Sequence, residues 1–174
     1  MCLIYLKNPK IKQPIIDTYI DMIKTTPIEK MTVVSLCKNA NINKSTFYVY
    51  YQDIFDLCEQ VEDIIVEKIT KSIRHPELAI DHTDIFTEEV FKAYQEYNEL
   101  IHTLFSGSRR SALPDKIHQS LTELFFSLRP EYQNNPEKHI MFSYMIYGSY
   151  YAYMENADYN SQYVISVISA LTKI

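Results

Sequence analysis

The sequence predicts an all-α protein, and three observations carry that prediction. The 174 residues include only two glycines, Gly107 and Gly148, whereas β architectures need frequent glycine-containing turns. Apolar residues recur at helical spacing along most of the chain. The length is sufficient to bury a core in one or two domains. We therefore expect a short N-terminal domain of three helices, residues 1–53, followed by a helical bundle, residues 54–174.

Composition excludes several functional classes. Because its two glycines lie far apart, the chain does not contain the glycine-rich phosphate-binding motifs of nucleotide-binding folds. Its three cysteines form no CxxC pair, which favours a reducing compartment. The N-terminus resembles no signal peptide, and the longest uncharged run, residues 140–154, is shorter than the ~20 apolar residues of a membrane helix. We expect a cytoplasmic protein without a membrane segment, a cofactor or a metal ion.

Charge is distributed unevenly along the chain. The net charge is −5, yet the part up to Gln52 has seven lysines and three acidic residues, a local charge of +4. The remainder carries −9. A basic end on an acidic body indicates that this end meets an anion.

The first predicted helix runs from about Lys12 to before Pro27, with Pro14 in its first turn, where a proline is tolerated. A long later helix is predicted to begin after Asp53, which has the side chain of an N-cap, and to continue to about Arg74. Its apolar stripe follows a helical period, and comprises Ile54, Leu57, Cys58, Val61, Ile65, Ile69 and Ile73.

Between these two helices the sequence predicts a pair of short ones. The first runs from Val33 to about Asn39, with Thr32 as its N-cap, and Asn41 can adopt the left-handed conformation of the following turn. The second contains the stretch "NKSTFYVYY", residues 43–51. Beyond residue 74 five more helices are predicted, over residues 84–98, 99–105, 114–128, 136–155 and 161–173.

Two short helices joined by a tight turn are typical of a helix-turn-helix. In the second helix Phe47 and Tyr51 are predicted to face inward. A lysine, small hydroxyls and phenols on the outer face suit base edges and phosphates. The candidate DNA-binding residues, within the motif span 32–51, are Thr32, Val33, Lys44, Ser45, Thr46, Tyr48 and Tyr50.

The segment "MTVVSLCKNANINKSTFYVYYQDIFDL" resembles the DNA-binding signature of TetR-type transcriptional repressors. It departs from that signature at Asn41, where a turn glycine is usual, and at Ile54, where a phosphate-contacting lysine is usual. The matching positions are Thr32, Val33, Leu36, Ala40, Ile42, Thr46, Phe47, Tyr48, Tyr51 and Leu57.

The resemblance implies a homodimeric repressor that binds a palindromic double-stranded DNA operator and is released by a small-molecule inducer. A single short recognition helix covers too few base pairs, so we expect a dimer through the last two helices, near Gly148. The aromatic segment 140–154 is consistent with core, a dimer face or the wall of a pocket. The candidate ligand-pocket residues are Tyr94, Tyr97, Tyr144, Tyr147 and Tyr151.

Two other interpretations remain open. The chain could be a helical binding or scaffold protein with a vestigial DNA-binding end. It could also be a metal-dependent helical-bundle enzyme, because Glu99-x-x-His102 and Asp115-x-x-His118 each place a carboxylate and an imidazole on one helical face. Such di-metal sites need two further glutamates from other helices, and nothing in the sequence marks them.

Overall fold

The computed structural model describes residues 9–173, and within them all regular secondary structure is helical and no β-strand occurs. The all-α prediction is confirmed. No helix in this range is long and apolar enough to cross a membrane. The helices are α1 Pro9–Ile23, α2 Val33–Asn39, α3 Lys44–Tyr50, α4 Ile54–Ser72, α5 Leu78–Asp81, α6 Thr83–Glu96, α7 Asn98–Leu104, α8 Ala112–Leu128, α9 Pro136–Glu155 and α10 Ser161–Leu171.

The chain divides into two compact units. The first comprises Met1–Ile64 and Glu99–Arg109, and the second comprises Ile65–Asn98 and Arg110–Ile174. This division by contacts falls within α4, and most of α7 belongs to the first unit. A division by function, into a DNA-binding part and a ligand-binding and dimerisation part, remains a prediction.

The core of the first unit is formed by α1 to α4. In it, α1 packs on α2 and α2 packs on α3. The apolar stripe predicted for α4 is buried, up to Val61 in this unit and from Ile65 onward in the second. The inward orientation predicted for the two aromatic residues is confirmed, since Phe47 is 0% and Tyr51 2% exposed. The other fully covered side chains of this core include Ile15, Tyr19, Leu36, Leu57, Cys58 and Val61.

A buried ion pair also stabilises the first unit. Glu62 of α4 is 0% exposed. Arg109 donates two hydrogen bonds to it, from Nε to Oε1 at 2.8 Å and from Nη2 to Oε2 at 2.6 Å. The Cys58 thiol donates to the same Oε1 at 3.2 Å, and burial raises the pKa of this thiol to about 12. The Glu62 carboxylate is thus held by charge-assisted bonds in bidentate geometry.

In the second unit α6 packs against α10, α8 against α9, and α9 against α10. One apolar cluster joins Phe91 to the buried face of α10, formed by Val164, Ile165 and Ile168. A buried hydroxyl cluster holds the end of the chain. Thr83 donates to the carbonyl of Thr172, and the Thr87 and Thr172 hydroxyls are 2.9 Å apart.

The largest differences from the predicted helices are at the start of α1 and at α5, while the other boundaries agree to within about two residues. Helix α1 begins at Pro9 rather than Lys12, which places Pro14 inside the helix and not in its first turn. The hydrogen bond lost at Pro14 would have reached only the carbonyl of residue 10, near the helix start, so the interruption is small. Helix α5 lies in a segment for which no helix was predicted, because four residues are too few to show a period.

Candidate nucleic-acid interface and ligand cavity

Local hydrogen bonds define the start of α2. Thr32 has an extended backbone, and its hydroxyl accepts from the Ser35 N–H at 3.1 Å. The Ser35 hydroxyl accepts in return from the Thr32 N–H at 3.2 Å. This reciprocal capping box satisfies two backbone donors that a helix start leaves unpaired. The N-cap predicted at Thr32 is confirmed.

The turn between α2 and α3 is a left-handed helix cap. Asn41 has a φ of 52°, the conformation predicted for it, which asparagine tolerates better than most residues. The Ile42 N–H donates to the Cys37 carbonyl at 3.0 Å and the Asn41 N–H to the Lys38 carbonyl at 3.4 Å. These two bonds form a Schellman motif. The turn therefore needs no glycine, although the resembling family usually has one there.

Helix α3 is fixed in position by its aromatic residues. The buried Phe47 ring lies 5.5 Å from the Tyr51 ring and meets the Tyr48 ring edge-on, also at 5.5 Å. Edge-to-face and tilted ring pairs add to the stabilisation that burial supplies. With Phe47 anchored, the orientation of every other side chain on this two-turn helix is determined.

The opposite side of α3 is open to solvent. Lys44 and Ser45 are exposed, Thr46 and Tyr50 are half-buried, and Tyr48 is 56% exposed. Five of the seven candidate DNA-binding residues therefore lie on α3 outside the core. Of the other two, Thr32 is exposed and Val33 is half-buried, both at the start of α2. Their contact with DNA remains a prediction.

Two exposed aliphatic residues were missed by the sequence reasoning. Val49 on α3 is 40% exposed and Val34 on α2 is 55% exposed. The signal that could have found Val49 was its position on the helix, two residues after the inward-facing Phe47. Val49 is not among the residues predicted to face outward, because valine is most often a buried residue.

The connection from α3 to α4 is also capped. The Asp53 carboxylate accepts from the Asp56 N–H at 2.9 Å, and the Asp56 carboxylate accepts from the Gln52 N–H at 2.7 Å. Hydrogen bonds from the Gln60 side chain and the Gln52 backbone lower the pKa of Asp56. Ile54, where the family usually has a lysine, is 5% exposed and packs inside. It presents no cation to a phosphate.

Polar side chains line an open groove beside the start of α3. Lys38, Asn43 and Thr46 are among the residues that form it, and both Lys38 and Lys44 are exposed at this end of the motif. Two ammonium groups and several amide and hydroxyl groups on one surface are suited to the DNA backbone, where cations and short polar side chains contact phosphate oxygens.

A separate apolar cavity of about 60 Å³ lies in the second unit. One water molecule needs about 10–15 Å³ on this measure, and a cavity that holds benzene has about 150 Å³. The cavity is therefore larger than one water but too small for an aromatic ligand without side-chain movement. The residues that line it are Phe86, Thr87, Val90, Phe91, Tyr94, Ile117, Leu121, Phe142, Met145, Ile146, Ser149, Tyr150 and Tyr153.

Only one of the five candidate pocket tyrosines, Tyr94, lines this cavity. Tyr144 is 79% and Tyr151 52% exposed, and Tyr147 donates to Asp115 at 2.9 Å. Tyr97 is half-buried at the end of α6. Tyr150 and Tyr153 line the cavity instead. The sequence reasoning placed α6 and α9 together but could not decide which side of α9 faces inward, because apolar and aromatic residues surround that helix.

Several large apolar side chains of α9 and α10 remain exposed. We call these residues the α9–α10 surface. They follow one another four or seven positions apart on each helix, and are Ile140 71%, Tyr144 79% and Tyr151 52% on α9, and Tyr163 64%, Val167 41% and Leu171 78% on α10. Gly148 belongs to the α9 row, and a Cβ atom added there would meet no atom of the described residues within 4 Å.

The carboxylate and imidazole pairs do not assemble into a metal site. Within residues 9–173 no group of three or more potential metal ligands comes together. Asp115 accepts the Tyr147 hydroxyl, and His118 Nε2 lies 3.0 Å from the Ser143 hydroxyl. Glu99 and His102 are exposed on α7.

The fold is similar to that of a solved structure. No family model and no curated protein match the sequence. A crystal structure from Shewanella sp. PV-4, of a protein assigned to the TetR family of transcription regulators, matches with a TM-score of 0.60 and 13% identity. The match covers 93% of this chain and 95% of that chain. This likeness over nearly the whole of both chains shows that the protein has the TetR-type fold.

Proposed function

We propose that this protein is a transcription regulator that binds double-stranded DNA as a homodimer, with α3 as the recognition helix in the major groove. The observation that carries the proposal is the α2–turn–α3 unit. Its inner face is closed by Phe47 and Tyr51, and its outer face presents Lys44, Ser45 and Tyr48. The TetR-type fold supports the same function.

The α9–α10 surface supports the homodimer. Large contiguous apolar patches on a protein surface usually mark an interface, and a two-fold dimer buries the same patch on both subunits. Two recognition helices about 34–36 Å apart would enter successive major grooves of a palindromic operator. Gly148 has open space around it in the described chain, which leaves room for a helix of the second subunit.

The cavity in the second unit supports an inducer site. It is almost entirely apolar, with hydroxyls from Thr87, Ser149 and tyrosines at its edge, the arrangement that orients a small amphipathic ligand. We expect a bound ligand to enlarge the cavity. The enlarged cavity should favour an arrangement of the protein that does not bind DNA, so that the ligand releases a repressor from its operator. A near-complete switch requires that it bind that arrangement more tightly by about 5.5 kcal/mol.

DNA binding is tested first by selecting genomic fragments with the purified protein and then by measuring affinity for the selected operator at several salt concentrations. Lys44→Ala should weaken binding and reduce the salt slope by about one unit if Lys44 contacts a phosphate. If Lys44 reads a guanine, the loss should be confined to one operator position. Lys68→Ala, the same charge change at an exposed position of α4, is the control.

Equal affinity of the wild type and Lys44→Ala for the operator would contradict the role of α3. Absence of any salt-sensitive, sequence-specific binding would instead favour the helical scaffold protein.

The inducer site is tested with phenol, a probe small enough to need only limited side-chain movement. The expected result is a rise in melting temperature for the wild type, and none for Ser149→Leu, which fills the cavity edge. An equal rise for both proteins would show that phenol binds elsewhere.

A further inference from the structure

The part of α3 directly opposite the core is formed by Ser45 and Val49. A helix turns about 100° per residue, so positions two before and two after the buried Phe47 both lie about 160° away from it around the axis. Ser45 and Val49 are four residues apart and therefore adjacent on this outer face, with Cβ atoms about 5–6 Å apart. The exposure of Ser45 and the 40% exposure of Val49 agree with this placement.

The chemistry of α3 limits which bases it can read. Guanine is read by arginine or lysine, and adenine by asparagine or glutamine, through paired hydrogen bonds. The helix, Lys44–Tyr50, has the sequence KSTFYVY, in which Lys44 is the only residue of these four types. Lys44 sits at the first position of the helix and not at the centre of its outer face. The centre of α3 therefore carries no side chain that reads a purine through paired hydrogen bonds.

Val49 has no hydrogen-bonding group, and in the major groove its isopropyl group has one matching feature, the C5-methyl group of a pyrimidine. In unmodified DNA this methyl group belongs to thymine. Thymine O4, next to the methyl group, is an acceptor, and the neighbouring Ser45 hydroxyl can donate to it. A contact with the thymine methyl group thus explains why Val49, an apolar residue, is exposed on a face otherwise suited to polar contacts.

Resting on the proposed DNA binding, we infer that Val49 reads the methyl group of a thymine in each operator half-site, with Ser45 as its polar neighbour. Sequence preference at the centre of each half-site then depends on a methyl contact. Lys44, Tyr48 and the groove beside the start of α3 supply position and affinity.

The test uses the operator selected by the wild-type dimer, with its thymines replaced one at a time by deoxyuridine. This change removes only the C5-methyl group and retains the pairing with adenine. We expect one position in each half-site to lose about fourfold in affinity, and about sixteenfold when both half-sites are changed, as for one methyl group removed from an apolar contact. Cytosine and 5-methylcytosine, each paired with guanine, are then compared at that position. The operator with 5-methylcytosine should recover part of the affinity that the operator with cytosine loses, because its methyl group is restored.

Val49→Ala should bind the thymine and deoxyuridine operators equally, because it has lost the group that distinguishes them. Val34→Ala, the same truncation of an exposed valine on α2, is the matched control and should still distinguish them at that position. Because Val49 is 40% exposed and lies opposite the core, Val49→Ala should fold as the wild type does, and an unchanged circular dichroism spectrum and melting temperature check this.

Specific binding that no deoxyuridine substitution weakens would overturn the inference and leave the proposed function standing. Discrimination that persists in Val49→Ala would show that another residue reads the methyl group. Failure to select any operator would overturn the proposed function, and this inference with it.

Discussion

The first unit buries a charged side chain, whereas the α9–α10 surface leaves large apolar side chains exposed. In the first unit even a fully buried carboxylate, Glu62, has its ionic and hydrogen-bonding partners within the unit. On the α9–α10 surface Tyr144 and Leu171, although large and apolar, are 79% and 78% exposed. The Glu62 carboxylate thus has its partners within one chain, whereas the exposed apolar side chains of the α9–α10 surface would be removed from water only by contact with another molecule.

Under the proposed function, the two regions differ in where their stability comes from. A helix that enters a DNA groove has to keep the same shape with and without DNA, and the core that supports α3 is closed by local caps and a buried ion pair. A dimer interface, in contrast, gains its free energy on association, mainly from apolar area removed from water.

The largest effect is expected at the buried ion pair. Arg109→Ala leaves the Glu62 carboxylate buried without its counter-charge, and should lower the free energy of unfolding by about 3–5 kcal/mol. Urea denaturation at neutral pH measures this loss. Arg110→Ala removes the neighbouring exposed arginine and should change stability by no more than about 0.5 kcal/mol. Comparable losses in the two variants would mean that the first unit does not depend on the pair.

The second effect concerns the α9–α10 surface. Leu171→Asp puts a carboxylate in an apolar interface and, through the two-fold axis, brings like charges near each other. A cost of several kcal/mol corresponds to a dimer weakened roughly a hundredfold or more. Light scattering at micromolar concentration should then show a monomer. Leu128→Asp, on α8 and 40% exposed, should remain dimeric. A wild type that is itself monomeric would refute the proposed interface.

A smaller effect is expected at Gly148. The Cβ atom of a leucine there would meet no atom of the described residues within 4 Å, and leucine favours a helix more than glycine does, so helix α9 should form as before. In a close helix pair across the dimer it would overpack, at a cost of about 1–3 kcal/mol. Sedimentation should show weaker association with unchanged helical content. If Gly148→Leu associates as strongly as the wild type, Gly148 lies beside the interface and not in it.

The smallest effect is a pH dependence inside the second unit. Burial raises the pKa of Tyr94 from 10.0 to about 12, because the phenolate is costly at the apolar cavity. The fold favours the neutral phenol over the phenolate. The contribution of Tyr94 to the free energy of unfolding is therefore complete below pH 10 and is lost as the pH rises toward 12. Midway between these two pH values, the free energy of unfolding should be lower by roughly 1 kcal/mol.

Alkaline unfolding of the wild type and Tyr94→Phe checks this contribution. The stability difference between the two proteins should be constant below pH 10 and change above it. A constant difference across the whole range would show that Tyr94 is not buried as described.

Local features of the first unit were predictable from sequence. Thr32, Asn41 and Asp53 were each recognised from residue type and position, and each has the predicted role. A cap or a turn involves partners three to five residues away, so the sequence contains both halves of the interaction. Val49 was missed for the opposite reason, since its exposure depends on where Phe47 is anchored.

The choice of cavity residues was less predictable. Helices α6 and α9 were expected to face each other, yet Tyr150 and Tyr153 line the cavity while Tyr144 and Tyr151 are exposed. Residues 140–154 are apolar or aromatic around the whole helix, so no stripe in the sequence indicates the buried side. Packing against α8 and α10 makes that choice.

By itself, the sequence determined the helical class, the α2–turn–α3 motif and the orientation of Phe47 and Tyr51, because each depends on spacing within a few turns. Only the tertiary structure decided that Arg109 neutralises Glu62, 47 positions away, and which faces of α9 and α10 stay exposed. Burial and charge pairing depend on neighbours supplied by distant segments, and the spacing of residues along one helix contains no information about them.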